Sequence, residues 1–309
     1  MSQPDVSVVV PTYKPRPVIE QAIESILDQT SRPTPIVVVD DASPAEYQPY
    51  LDRLDERYPI RLVRRRENGG PAAAHNTGIA ATKSQYVAFL EHDDLWLPTK
   101  VEKQVAAMED HPDWGVCYVG VLQIGPDGEE AGSPDDRYYP EDLVLKKMLK
   151  GNCIHTISAV MLRKKCLDET GGFDSSFRWA GDYDLWLRIA SGNKWRIGCV
   201  SEELTCYRIY DNNWSLEHPG EVMEEAWRAI YACCKAQPHL WPMAADQYST
   251  LCYRMAQYRT TKARLFDALL WNIRGCRVDS RMPMRYLRWF VSRMLRPRTI
   301  DETPIANLR

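Results

Sequence analysis

The sequence predicts an α/β protein: a mostly parallel sheet flanked by helices, with a helical extension at its carboxyl end. Three observations carry that prediction. Continuous β-branched runs alternate with segments of helical spacing through the amino-terminal third, acidic clusters follow two of those runs, and strand signals vanish beyond about Glu217. Strands that alternate with helices bury both faces of their sheet and leave ligand sites at its carboxyl ends.

Taken in order, Val6–Val10 is closed by Pro11 and Ile36–Val39 by Asp40 and Asp41, and both read as strands covered on two faces. Between them Val18, Ala22, Ile23, Ile26 and Leu27 recur at helical spacing behind Pro15 and Pro17, residues suited to a helix start. The unit repeats, with helices at 45–57 and 71–81 and strands at 60–63 and 86–90. Past Pro98 the pattern predicts a helix at 100–108, a strand at 116–123 and polar turns over 125–140. Strands follow at 157–162 and 196–200, with a helix at 185–190 whose entry carries Asp182 and Asp184. Helices over 221–236, 246–258 and 262–273 complete the reading and set two domains, 1–216 and 217–309.

Composition narrows the function. The chain has 309 residues, 44% hydrophobic and 26% charged, enough to bury a large core. A net charge of −3 and a pI of 6.1 argue against a dedicated nucleic-acid binder. Nine cysteines, an odd count without a CxxC pair, read as buried thiols in a reducing compartment. With no secretory signal and no long apolar run, the expected location is cytoplasmic.

The charge is uneven. Between Arg254 and Arg298 twelve Lys or Arg face only Asp267 and Asp279, a net of +10 that leaves −13 elsewhere. Tyr286–Leu295 interleaves bulky apolar groups with cations as an interfacial helix does, and an anionic leaflet attracts about 1 kcal/mol per such cation. Attachment to the inner face of a membrane is one expectation; packing on the catalytic domain or on a second subunit of a homo-oligomer is the other.

Two acidic groups end successive predicted strands, Asp40-Asp41 and Glu91-His92-Asp93-Asp94. Concentrated carboxylates repel unless a cation or donor joins them, and hard oxygen ligands suit Mn²⁺ or Mg²⁺. A metal-bound diphosphate would satisfy that charge. The plainer alternative is that Asp40 and Asp41 cap the next helix with Ser43 and that 91–94 is a solvated turn.

The order Pro11-Thr12-Tyr13, Asp40-Asp41-Ala42-Ser43, Asn68-Gly69-Gly70-Pro71 with Asn76 and Gly78, Glu91-His92-Asp93-Asp94, and Gly171-Gly172-Phe173-Asp174 before Gly181-Asp182-Tyr183-Asp184 resembles family 2 glycosyltransferases over roughly residues 5–215. The resemblance implies a glycosyltransferase A fold, Rossmann-like, with a nucleotide-sugar donor of UDP or dTDP type, a divalent cation and inversion at the anomeric carbon. It places Pro11, Thr12, Tyr13, Asp40, Asp41, Asn68, His75 and His92 at the nucleotide, with Asp41 or Asp40 taking the base's imide N–H. It assigns Asp93, with Glu91, to the metal and Asp182 to deprotonating the acceptor hydroxyl, with Asp184 as the second choice. Arg208 and Tyr210 fall on its diphosphate segment, and Trp179 and His155 on its acceptor side. The chain departs from the family in Glu91 for Asp, Gly181 for Glu and Tyr210 for His.

The implied acceptor is a glycan or lipid-linked glycan, as in surface-polysaccharide assembly. Two rivals stand beside this reading. A metal-dependent phosphohydrolase rests only on His92-Asp93, and a non-catalytic nucleotide-binding module on the departures at Gly181 and Tyr210.

Overall fold

A computed structural model describes residues 5–133, 138–210, 217–261 and 265–276. Among these the chain divides into two compact units. One runs to Met148 and from Asn152 to Tyr210, and the other holds Leu149–Gly151 and the residues from Glu217 onward.

In the first unit β1 (Val6–Thr12) and β2 (Ile36–Asp40) are buried at every position, the outcome that β-branched runs covered on both faces require. With β3 (Ile60–Arg64) and β4 (Tyr86–Phe89) they form a parallel half-sheet in the order β3-β2-β1-β4. Helix α1 (Val18–Leu27) lays Ile19, Ala22, Ile23 and Ile26 on it. A turn at Ala45–Tyr47 leads into α2 (Gln48–Arg57), and α3 (Gly70–Ala80) presses so closely on β1 that a Cβ on Gly78 would meet Val9 at 2.2 Å.

Beyond β4 the sheet becomes mixed. A two-residue β5 (Leu95–Trp96) and α4 (Lys100–Asp110) precede the long β6 (Trp114–Ile124), β7 (Glu130–Gly132) and α5 (Glu141–Met148). The order continues β4-β8-β6-β9-β5, where β8 (Val160–Arg163) runs antiparallel to both neighbours and β9 (Arg196–Arg208) parallel to β6. Residues 157–159, expected in a strand, form a single helical turn capped by the Thr156 hydroxyl, which accepts from Ser158 N–H. Two short helices, α6 (Lys164–Thr170) and α7 (Gly181–Ser191), lie between β8 and β9. Helix α7 starts at Gly181, earlier than expected, with Asp182 and Asp184 in its amino-terminal turn as the sequence predicts.

The second unit holds α8 (Pro219–Ala236), α9 (Trp241–Thr261) and α10 (Leu265–Cys276). Residues 211–216, 262–264 and the Tyr286–Leu295 segment lie outside the described residues. Among those described, no helix is long and apolar enough to cross a membrane, and the eight cysteines from Cys117 to Cys252 carry free thiols.

Candidate active site

Register gathers the acidic segments at one sheet edge. Thr12 pairs with Asp40 across β1 and β2, and Val9 with Phe89 across β1 and β4, so three neighbouring parallel strands release their loops side by side. The loops after β1 and β2 are joined by Lys14 N–H donating to Ser43 Oγ at 2.8 Å. Lys14 (φ 53°) and Ala42 (φ 60°) both occupy the left-handed region, at about 1–2 kcal/mol each.

The two aspartates after β2 are not equivalent. Asp41 is buried; its carboxylate lies 2.7 Å from Arg65 Nε and accepts from Gly69 N–H (3.1 Å) and Gly70 N–H (2.8 Å), while Asn68 Nδ2 donates to its backbone oxygen (3.0 Å). It thus binds the start of α3, where the helix dipole favours an anion. Asp40, 1% exposed, accepts from Ser43 N–H through Oδ1 (3.1 Å), but its Oδ2 is buried without a partner, as is Thr12 Oγ1 on the paired strand position. Tyr13 follows with its ring 43% exposed, and Pro11 is buried in β1.

The cluster after β4 is divided in the same way. Asp94 is buried, accepting from Ser158 Oγ (2.6 Å), Thr156 Oγ1 (3.2 Å) and Arg208 N–H (3.0 Å). Burial, and then the neighbouring Asp93 charge, push its carboxyl up to about 8. Asp93 is half-buried, its side chain 24% exposed, and lies 3.5 Å from Arg16 Nη2, whose guanidinium also lies 4.4 Å over the Tyr210 ring. Arg208 corrects the expectation of a phosphate contact. It is 1% exposed, and its guanidinium donates to Asp93 O (2.9 Å), Gly125 O (3.2 Å), Pro126 O (3.0 Å) and Gln21 Oε1 (2.9 Å). It braces the Asp93 loop from beneath.

His75 connects this cluster to Asp182. Expected at the base or on a helix surface, it is buried instead, stacked on Phe173 (5.0 Å) and edge-on to Phe89 (5.3 Å), with Nε2 3.2 Å from Glu91 Oε1. Asn76 holds Phe173 there: Asn76 Nδ2 donates to Phe173 O (2.7 Å) and Phe173 N–H to Asn76 Oδ1 (3.0 Å). Asp182 accepts from Tyr183 N–H (2.7 Å) and Asn152 Nδ2 (3.1 Å). Burial raises its carboxyl above the ordinary range, opposed by those donors and by the nearby His75. Asp184, the second choice for base, is a brace: its carboxylate receives Arg188 Nε (2.8 Å), and Arg188 in turn donates to Thr170 O and Gly172 O.

His92 and Trp179 are half-buried and His155 is exposed. Sequence reasoning missed Arg16, Arg65, Asn152 and the Thr156-Ser158 pair. Arg16 alone left a signal, a cation between two prolines directly after a strand end.

Comparison with known proteins decides the family. Residues 7–171 match the description "Glycosyl transferase family 2". The chain belongs to glycosyl transferase family 2. Asp182, Arg208 and Tyr210 lie beyond the matched residues. TuaG of Bacillus subtilis, a glycosyltransferase named for teichuronic acid biosynthesis, is 31% identical over 231 residues, 73% of this chain and 86% of TuaG. The uncharacterised glycosyltransferase RP339 of Rickettsia prowazekii is 32% identical over 60% of this chain, a segment that spans only 58% of RP339. The family's fold is also evident in solved structures. Staphylococcus aureus TarS 1-349 in complex with UDP-GlcNAc superposes with a TM-score of 0.63 at 16% identity, covering 92% of each chain. The mannosyltransferase PcManGT of Pyrobaculum calidifontis, in complex with GDP-Man and Mn²⁺, gives 0.62 at 18% identity over 95% of this chain and 81% of that one. The protein is a glycosyltransferase with a glycosyltransferase A fold.

Proposed function

We propose that this glycosyltransferase moves a sugar, with inversion, from a nucleoside diphosphate of UDP or dTDP type to a hydroxyl of a glycan or lipid-linked glycan in surface-polysaccharide assembly. The observation that carries the reading is the pair of unpartnered buried atoms, Asp40 Oδ2 and Thr12 Oγ1, beside the exposed Tyr13 ring. A pyrimidine packed on Tyr13 gives its imide N–H to Asp40 Oδ2 and a carbonyl to the Thr12 hydroxyl, which satisfies both atoms. The UDP-GlcNAc and GDP-Man complexes of TarS and PcManGT, and the name of TuaG, support the donor class and the polysaccharide setting.

Among the described residues no three His, Cys, Asp or Glu side chains gather as a self-sufficient metal site. The half-buried, still accessible Asp93 carboxylate fits the cation, because Mg²⁺ and Mn²⁺ in such sites take one or two carboxylates and complete their shell with substrate phosphates and water. Asp93, with Glu91 beside it, would hold the ion, which when bound stabilises charge on the departing diphosphate.

The chain's own groups do the rest. Arg16, exposed beside Asp93, takes the diphosphate contact that Arg208 is too deeply bound to make. Asp182 accepts the acceptor hydroxyl's proton as that oxygen attacks the anomeric carbon opposite the bond to the diphosphate, and the electron pair of that bond leaves with the diphosphate. Trp179 and His155 lie on the acceptor side. The basic 254–298 segment holds the enzyme to anionic lipid; flotation with anionic vesicles at low salt shows it, and unchanged sedimentation refutes it.

The test is nucleoside diphosphate release from a panel of nucleotide sugars with Mn²⁺. Slow release from one UDP or dTDP sugar, lost in Asp182→Asn, is expected. Full turnover by that variant refutes the assignment of the base.

A further inference from the structure

We infer that the helical unit carries a binding pocket for an anionic saccharide, formed by Trp227 and Tyr231 of α8, Trp241 and Tyr248 of α9, and Arg274 of α10. None of these residues takes part in the transfer chemistry above, and the inference does not depend on it. The pocket measures about 750 Å³, within the range that holds a ligand of a few sugar rings.

Its walls are aromatic. Trp227 and Tyr231, one helical turn apart, stack with centroids 5.5 Å apart and planes 12° from parallel. Tyr248 lies 5.6 Å from Trp227, and Trp241 lies edge-on to Tyr248 at 5.2 Å. Rings serving only to fill a core would be closed over, yet Tyr231 stays 39% exposed at the rim. The exposed Tyr231, with the half-buried Trp227 and Trp241 beside it, offers aromatic surface that matches the C–H face of a pyranose ring, whose edges keep their hydroxyls solvated.

The charge selects among sugars. Arg274 lies 5.1 Å over Trp227 and 4.6 Å over Trp271, and among the described residues no carboxylate lies within ion-pair distance of it. A guanidinium oriented on aromatic faces, with no carboxylate among the described residues to hold it, is ready for the two oxygens of a ligand carboxylate. A cationic ligand is excluded, because Arg274 already takes the cation's place over the indoles. Tyr248 is 5% exposed and packs against Trp227 and Trp241. The occupant that fits these features is a hexuronic-acid unit of an oligosaccharide.

The experiment is isothermal titration of the full chain with a galacturonic acid oligomer, and with a neutral galactose oligomer of equal length, without nucleotide or metal. Binding is expected for the acidic oligomer, at least roughly tenfold tighter than for the neutral one, weakening as salt rises. Tyr231→Ser and Arg274→Gln should each weaken it roughly tenfold. Both variants are titrated well below their own melting temperatures, and Tyr231→Phe, which keeps the ring, should bind the acidic oligomer within about twofold of wild type, so a general folding defect is distinguished from a lost contact. No heat from the acidic oligomer at millimolar concentration, equal binding of the neutral oligomer, or unchanged affinity in Tyr231→Ser overturns the proposal.

Discussion

Replacing Asp41 by Asn separates the carboxylate that holds the fold from the one that faces the nucleotide. The Asp41 side chain is 4% exposed and loses an ion pair to Arg65 at 2.7 Å, and one of its two oxygens becomes an N–H₂ group facing the N–H donors of Gly69 and Gly70. Breaking a buried pair costs about 3–5 kcal/mol; Arg65 is 23% exposed and keeps some water, so the lower end applies. About 3 kcal/mol in a unit of this size lowers the melting temperature by roughly 6–12 °C. Asp40→Asn provides the contrast, since its Oδ2 has no partner to lose. That variant melts within about 2 °C of wild type while its affinity for UDP falls roughly tenfold or more, because an amide N–H₂ then faces the imide N–H. Thermal melts and UDP titrations of both variants decide it. An Asp41→Asn protein that melts as wild type but fails to bind UDP would reverse the two assignments and refute the reasoning.

Three further outcomes follow from the same geometry. Because burial raises the Asp182 carboxyl and the base acts ionised, kcat/KM should fall as pH drops through that raised value; Asp182→Asn loses about 10²- to 10⁴-fold in turnover and that acid limb with it. Lys100 is fully buried, its Nζ donating to Gln104 Oε1 and lying 4.1 Å over Trp96, and burial lowers its pKa to about 7. The unfolded chain holds that proton up to about 10.4, so stability rises with pH between those values, and the melting-temperature gain of Lys100→Met should be larger at pH 6.5 than at pH 9. Arg16→Gln should leave the melting temperature unchanged, its ion pair being exposed, and weaken UDP binding roughly tenfold.

The parallel half of the sheet was legible because β1 and β2 are largely β-branched runs and the shorter β3 and β4 recur between helical segments at the same spacing. The mixed half was harder. Strand β9 reads only to Val200 in sequence because Glu202 and Glu203, on or near the surface, interrupt the apolar run, although backbone pairing with β6 carries it to Arg208. Two-residue β5 and seven-residue α6 are too short to show a clear period. At the site, residue types revealed where carboxylates gather but not which are buried: Asp41, Asp94 and Arg208 became braces through partners distant in sequence, and Asp184 through Arg188 one helical turn on. Arg208's Gln21 contact and Asp94's Ser158 contact have no local signature.

The most direct measurement is UDP binding with and without Mn²⁺, paired with turnover of the selected donor, in wild type, Asp93→Asn and Asp182→Asn. The account predicts that Asp93→Asn loses the Mn²⁺ enhancement of binding together with turnover, whereas Asp182→Asn binds UDP and Mn²⁺ as wild type yet turns over at least about a hundredfold more slowly. Mn²⁺ enhancement that persists in Asp93→Asn, or wild-type turnover in Asp182→Asn, would contradict it.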